Sequence, residues 1–214
     1  MQSLEEYATA KLLHLESKNL KRSLVETHRS INGRAKRSGR DLISFACNDY
    51  LNLSGDPRVG KAAQNAIQKY GAGAGASRLV TGNHPLYQDL EKRLARLKGT
   101  EDACVFGSGY LANLGIIPSL VGPEDLIVVD ELSHACLLAA SKLSSAQVKI
   151  FKHNDTRHAA EILEQFRSQH PRAMILTDGV FSMDGDLAPL NELCALAQRF
   201  DSWLMTDDAH GVGV

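Results

Sequence analysis

The chain has 214 residues, 43% hydrophobic and 23% charged, enough apolar material for one large domain or one and a half. A formal net charge of −1 provides no global field to draw nucleic acid or an anionic membrane. No apolar run reaches the length that spans a bilayer, and the charged, amphipathic N-terminus has no signal-peptide core.

Residues 2–20 place Leu4, Tyr7, Ala8, Leu12 and Leu15 at helical spacing and predict a surface helix or arm. A basic cluster follows from Lys18 to Arg40; it reads either as a solvated arm or as a site for an anionic substrate such as a carboxylate or a nucleotide-bearing thioester. Residues 42–47 read as a short strand leading to Asn48-Asp49-Tyr50-Leu51. The expected organisation is an arm with a first strand over 1–50 and a main domain over 51–214. Asp56-Pro57 opens a helix that Gly71 stops. The run Gly71-Ala-Gly73-Ala-Gly75-Ala-Ser77-Arg78 has the look of a dinucleotide fingerprint, but such a fingerprint follows a strand and opens a helix, whereas this one follows a helix. A second helix is expected from about His84 to Lys98, with Leu86, Leu90, Leu94 and Leu97 on one face and Gly99 at its end.

A regular rhythm then begins. Strands are expected at Ala103–Phe106, Leu126–Asp130, Val148–Phe151, Ala173–Thr177 and Trp203–Thr206. Helices are expected to open at Ser108-Gly109-Tyr110, Ser133, Thr156 and Leu190. Short β-rich runs alternating with helices predict an α/β fold with a mainly parallel sheet flanked by helices. The cysteines (Cys47, Cys104, Cys136, Cys194) stand apart with no CxxC pair, so zinc-ribbon and redox-motif readings have no support. They are expected to be buried free thiols in a reducing cytoplasm.

Chemistry gathers in loops that follow strands. Ser108, Gly109 and Tyr110 at a helix start could cradle a phosphate, since small residues admit an anion to free N–H groups; alone, Gly-Ser-Gly is also an ordinary turn. His134 follows another strand, where it could equally be a helix-cap neighbour. Ser182 lies in a glycine-bracketed loop, either as a donor at a site or as part of a turn. Asp207 ends an apolar run and His210 follows three residues later; a metal-ligand reading would want further ligands at short range, and none is evident. Pyridoxal phosphate (PLP) fits the set better. A buried carboxylate keeps its pyridine nitrogen protonated, and that positive ring is the electron sink for a carbanion. Asp207 is the candidate carboxylate and the Gly109-Tyr110 helix start the phosphate site. His134 is the candidate flat partner for the ring, while His210 and Ser182 compete for its phenolic oxygen.

Six stretches carry a family resemblance that runs from about residue 20 to the chain end: 47–51 (CNDYL), 71–82 (GAGAGASRLVTG), 133–135 (SHA), 153–155 (HND), 179–186 (GVFSMDGD) and 207–213 (DDAHGVG). On these the chain resembles fold-type I PLP enzymes, and among them the α-oxoamine synthases. The resemblance implies an aspartate aminotransferase-like large domain, here truncated. It implies decarboxylative condensation of an amino acid with an acyl thioester by a cytoplasmic homodimer. Residues 132–138 and 181–186 lean toward the branch that joins L-alanine to a pimeloyl thioester, while the 2-amino-3-oxobutyrate CoA-ligase branch shares much of 181–186 and the 5-aminolevulinate branch shares 153–155. By position, His134 would stack on the ring, Asp207 would pair with the pyridine nitrogen, and His210 and Ser182 would contact the phenolic oxygen. Ser108, Gly109 and Tyr110 would hold the phosphate, Asn48 would face the amino-acid carboxylate, and Arg22 would face the acyl substrate. Asn52 stands where the family more usually has glycine. The family's Schiff-base lysine is expected beyond Val214, since Lys142, Lys149 and Lys152 fall in the wrong elements. An inert fragment that binds cofactor weakly, or only pairs with a partner chain, is the competing expectation.

Overall fold

The helix signals resolve into capped helices in a computed structural model that describes residues 3–214. Ser3 and Glu6 form a reciprocal capping box at the start of α1 (Leu4–Ser17), with Ser3 Oγ accepting from Glu6 N–H and Glu6 Oε2 accepting from Ser3 N–H. Asp56 caps α2 (Pro57–Tyr70) by accepting the Arg58 N–H at 2.7 Å, and Gly71 ends it at φ 82°.

Two compact units divide the chain, Met1–Gly71 and Ala72–Val214; the sequence alone had placed a division at residue 50. In the first unit, β1 (Thr27–Arg29), β2 (Arg34–Arg37) and β3 (Arg40–Ile43) form an antiparallel meander. Arg37 and Arg40 pair across a two-residue loop in which Ser38 and Gly39 both have positive φ, 50° and 76°, as a tight hairpin of right-handed twist requires. The strand expected over 42–47 is therefore corrected: β3 starts two residues earlier and ends at Ile43, where its ladder partner β2 runs out.

The second unit begins with a π-helical turn at Arg78–Gly82, then α3 (Pro85–Lys98), capped by His84 and ended by Gly99. Gly82 has a steric reason, since a Cβ there would lie 1.8 Å from the Ala76 carbonyl oxygen. The leucine face predicted for α3 is present but open, with Leu86, Leu90 and Leu97 all exposed. The strand predicted at Ala103–Phe106 does not form. No sheet strand borders it: the Val105 N–H bonds the Glu91 carboxylate at 2.9 Å and its carbonyl accepts from Arg78 at 3.1 Å.

From there the prediction holds. α4 (Gly109–Leu120), β4 (Leu126–Asp130), α5 (Ala135–Leu143), β5 (Gln147–Phe151), α6 (Thr156–Phe166), β6 (Ala173–Asp178), α7 (Leu190–Arg199) and β7 (Trp203–Asp207) follow in order. The sheet order is β5-β4-β6-β7, and every pairing is parallel. β4 and β6 are buried at every position, because helices cover both faces. Leu126, Val128 and Ile175 pack with α6 and α7, while Ile127, Val129, Met174 and Leu176 pack with α4 and α5. The chain leaves β4 for one side of the sheet and returns to the other, so the direction of winding reverses between β4 and β6. In open α/β sheets the carboxyl ends beside such a reversal are where ligands sit.

The cysteines are also corrected. All four are free, but Cys136 alone is fully buried; Cys47 is half-buried, and Cys104 and Cys194 are exposed. Cys104 lies in the unpaired extended segment, and Cys194 takes the outer face of α7 while Leu193 and Ala197 point inward.

Candidate active site

Three adjacent parallel strands deliver an aspartate to the same edge of the sheet: Asp130 from β4, Asp178 from β6 and Asp207 from β7. His134 is bonded to Asp178, and α4, which begins at Gly109, is bonded to Asp207 through Asn113.

Asp207 is half-buried. Its Oδ2 accepts from Asn113 Nδ2 at 2.7 Å and its Oδ1 accepts from the Ala209 N–H at 3.1 Å. Asn113 is a buried amide, four residues into α4 from Gly109, which places the helix start one turn, about 6 Å, from the group that orients Asp207. The same amide reaches Cys136 Sγ at 3.1 Å, and that sulfur lies 2.7 Å from His134 Nδ1 and 3.7 Å from Asp207 Oδ2. Asp207, Asn113, Cys136 and His134 thus form one continuous polar string from β7 through α4 to α5.

His134 caps α5, accepting the Cys136 N–H on Nδ1 at 3.3 Å, so its outer nitrogen Nε2 carries the proton when the ring is neutral. Its own backbone N–H is held by Asp178 Oδ1 at 3.0 Å. Burial pushes the Asp178 carboxyl above the usual carboxylate range; the His134 N–H opposes this, and Asp207 and Asp130 add to it as like charges. Burial likewise pushes the Cys136 thiol up, against the Asn113 bond and with help from Asp207, so the sulfur is a protonated donor at neutral pH.

Ser108 caps the twelve-residue α4 through Oγ and the Leu111 N–H at 3.2 Å. Apart from its chain neighbours and the backbone of its own helix, no protein atom lies within 4 Å of where a Gly109 Cβ would stand, so the helix start is open to an anion, and Tyr110 beside it is exposed. Ser182 is exposed in the turn between β6 and α7, and His210 is half-buried in the turn after β7. Asn48 lies exposed in the bend after β3, and Arg22 lies exposed in the segment before β1, both within the first unit. The donor set fits PLP: an open helix start for phosphate, an amide-oriented carboxylate for the ring nitrogen, and an imidazole at the rim. Asn113 and Cys136 had no role in the sequence reading. The signal for Asn113 was present, since it is a polar residue inside an otherwise apolar helix.

Comparison with known proteins gives the family and the fold. The sequence pattern of the aminotransferase class I and II family matches residues 40–214. The chain belongs to that family. An 8-amino-7-oxononanoate synthase from Beijerinckia indica is 56% identical over 214 residues, covering 100% of this chain and 55% of that protein. Another from Methylocella silvestris is 64% identical over 178 residues, covering 83% of this chain and 51% of that protein. Among solved structures, a serine palmitoyltransferase from S. paucimobilis with a bound PLP–myriocin aldimine superposes with a TM-score of 0.84 at 28% identity, over 94% of this chain and 51% of that one. The chain spans about half the length of the curated relatives it matches. The expected fold class and the kinship with α-oxoamine synthases both stand, and the expected cofactor is the one bound in that serine palmitoyltransferase.

Proposed function

We propose that this chain carries the PLP-binding residues of an acyltransferase that condenses L-alanine with a pimeloyl thioester, with loss of CO2, to 8-amino-7-oxononanoate for biotin biosynthesis. The observation that carries this reading is the string from Asp207 through Asn113 and Cys136 to His134, one helical turn from the open start of α4. The 56% and 64% identities to synthases of that name support the substrate choice.

When bound, PLP supplies an electron sink for charge that develops on the amino-acid α-carbon. Asp207 holds a proton on the ring nitrogen, and Asn113 fixes the carboxylate that does so. Ser108, Gly109 and Tyr110 bind the phosphate with the helix start, and the imidazole of His134 covers the ring. Ser182 and His210 contact the phenolic oxygen, Asn48 orients the amino-acid carboxylate, and Arg22 faces the acyl substrate. This reading assigns the Schiff-base lysine to none of Lys142, Lys149 and Lys152. Lys149 instead sits 4.0 Å over the Phe166 ring, and Lys142 is in the last turn of α5, away from the end that His134 caps. The reading includes a homodimer in the cytoplasm, with small-molecule substrates and no nucleic-acid or membrane partner. Among the described residues no helix is long and apolar enough to cross a membrane.

A sister synthase that uses serine is the second reading, favoured by the likeness to serine palmitoyltransferase. The test, run on protein that carries the Schiff-base lysine, measures the absorbance with PLP, before and after borohydride, and product formation from alanine, serine or glycine with pimeloyl-CoA. PLP retention with preference for alanine is expected. Preference for serine or glycine overturns the substrate, and failure to retain PLP at all overturns the cofactor site.

A further inference from the structure

A second polar cluster closes the end of β4, apart from the Asp207 string. Asp130 is fully buried; its Oδ1 accepts the Leu132 N–H at 2.8 Å and lies 3.0 Å from His153 Nδ1, and its Oδ2 accepts the Asn154 N–H at 2.8 Å. The other ring nitrogen, His153 Nε2, lies 2.8 Å from Asp186 Oδ2. Asn154 Nδ2 donates to the same oxygen at 2.9 Å and to the Leu187 carbonyl at 3.2 Å. The Phe181 ring meets the imidazole edge to face, 4.4 Å between centroids and 89° between planes.

Counting hydrogens fixes the charge on this ring. A neutral imidazole has one N–H to give. Both nitrogens of His153 face carboxylate oxygens, and the two amide hydrogens of Asn154 already have acceptors. With both carboxyl groups ionised both ring nitrogens donate, and the geometry points to His153 as an imidazolium bridging Asp130 and Asp186. Loss of one proton turns one bridge into a lone pair facing a carboxylate.

What the bridge holds is the loop between β6 and α7. That loop closes on itself, with the Phe181 N–H bonded to the Asp186 carbonyl at 3.0 Å and the Gly185 N–H to the Phe181 carbonyl at 2.8 Å. Ser182 rides on this turn, next in sequence to the Phe181 ring that touches His153. We propose that His153 is a positioning residue: as an imidazolium it locks the Phe181–Asp186 turn onto the end of β4 and thereby sets where Ser182 stands. The functional consequence rests on the reading of Ser182 as a contact to the phenolic oxygen of PLP; the lock itself does not.

The sign of the pH dependence follows. Burial opposes the charge on His153, but the bonds to Asp130 and Asp186 outweigh it and raise the ring above its ordinary value of 6.5. The charged groups bonded to it are acidic: Asp130 on β4, Glu131, whose Oε1 accepts the His153 backbone N–H at 2.9 Å, and Asp186 in the loop. Its sequence neighbours Lys152 and Asp155 stand on either side, and His158 Nδ1 accepts the Lys152 N–H. A raised folded-state value means the lock is complete below 6.5 and is lost as pH rises through the folded value.

The test is backbone hydrogen exchange of the 179–188 segment between about pH 6 and pH 9, corrected for intrinsic rates, with the His153 ring titrated by NMR. In the wild type the segment should lose about tenfold protection as the ring deprotonates, while β6 does not change. His153→Gln and Asp186→Asn should start at the low protection and show no pH step. Asp186 is the milder site, because its side chain is partly exposed. A flat wild-type profile, or a Gln or Asn variant as protected as the wild type, overturns the proposal. With PLP added, the cofactor absorbance should shift with the same midpoint in the wild type. A step in exchange without that shift retains the lock and removes Ser182 from the cofactor.

Discussion

Asp130 and Asp207 leave the same edge of one parallel sheet with β6 between them, yet their surroundings divide their work. Asp130 has no solvent exposure, and its oxygens take two backbone N–H groups and one bond of the imidazolium. Asp207 is half-buried and takes one side-chain amide, one backbone N–H and a distant thiol. A carboxylate has about four lone-pair sites, so Asp207 retains capacity for a further donor at an accessible rim. The loops explain the difference. The end of β4 is roofed by the 153–154 and 179–187 loops, while Asp207 at the end of β7 meets Asn113 of α4, the Cys136 sulfur of α5 and the Ala209 N–H. Burial makes one aspartate part of the structure and leaves the other, in the proposed function, to receive a ligand.

Four changes would break or sharpen this contrast, in falling order of effect. Asp130→Asn removes a buried charge from beneath an imidazolium, a class of change that costs about 3–5 kcal/mol. The denaturation midpoint should drop accordingly, whereas Asp207→Asn should move it by no more than about 1 kcal/mol. The second change is Asp207→Asn read by equilibrium dialysis of PLP. Losing one partner of a close charge pair costs about 2–5 kcal/mol, so affinity should fall by about a hundredfold with the circular dichroism unchanged. Equal stability losses in the two variants would erase the distinction drawn here.

The third change compares His134→Phe with His134→Ala. Both lose the same helix cap, at about 1 kcal/mol, so their melting temperatures should agree. PLP retention should differ several-fold in favour of Phe, since an aromatic contact is worth about 0.5–1.5 kcal/mol. Identical retention would mean that His134 acts only as a cap. The last and smallest concerns the thiol beside Asp207. Iodoacetamide should modify the exposed Cys104 and Cys194 first and Cys136 last, since burial keeps the Cys136 thiol protonated well above neutral pH. Peptide mass spectrometry gives the order, and early modification of Cys136 would show that the string opens readily.

Legibility of this chain in its sequence followed the strength of local signals. Asp56-Pro57, His84-Pro85 and the glycines at 71 and 99 announce helix ends by chemistry that needs no tertiary partner, and all four hold their places. The strands of the parallel sheet are short apolar runs, and burial on both faces explains them. The β1–β3 meander was missed because its strands are rich in Arg and Lys and do not alternate; the only cue was Ser38-Gly39. Ala103–Phe106 has the composition of a strand, but among the described residues no strand pairs with it, which composition cannot reveal. Of the residues named in the candidate site, His134 caps α5 and Ser108 caps α4, positions that the strand-to-helix rhythm announces. Asn113 and Asp186 were not singled out, because each works through a partner 94 or 33 positions away.

The central claim is that Asp207 keeps a proton on the ring nitrogen of PLP. The most direct measurement is the ¹⁵N chemical shift of the pyridine nitrogen in PLP labelled at that atom and bound to the protein. The wild type should give a protonated pyridinium across neutral pH, and Asp207→Asn an unprotonated nitrogen under the same conditions. An unprotonated nitrogen in the wild-type complex, or a pyridinium that persists unchanged in Asp207→Asn, would contradict the assignment.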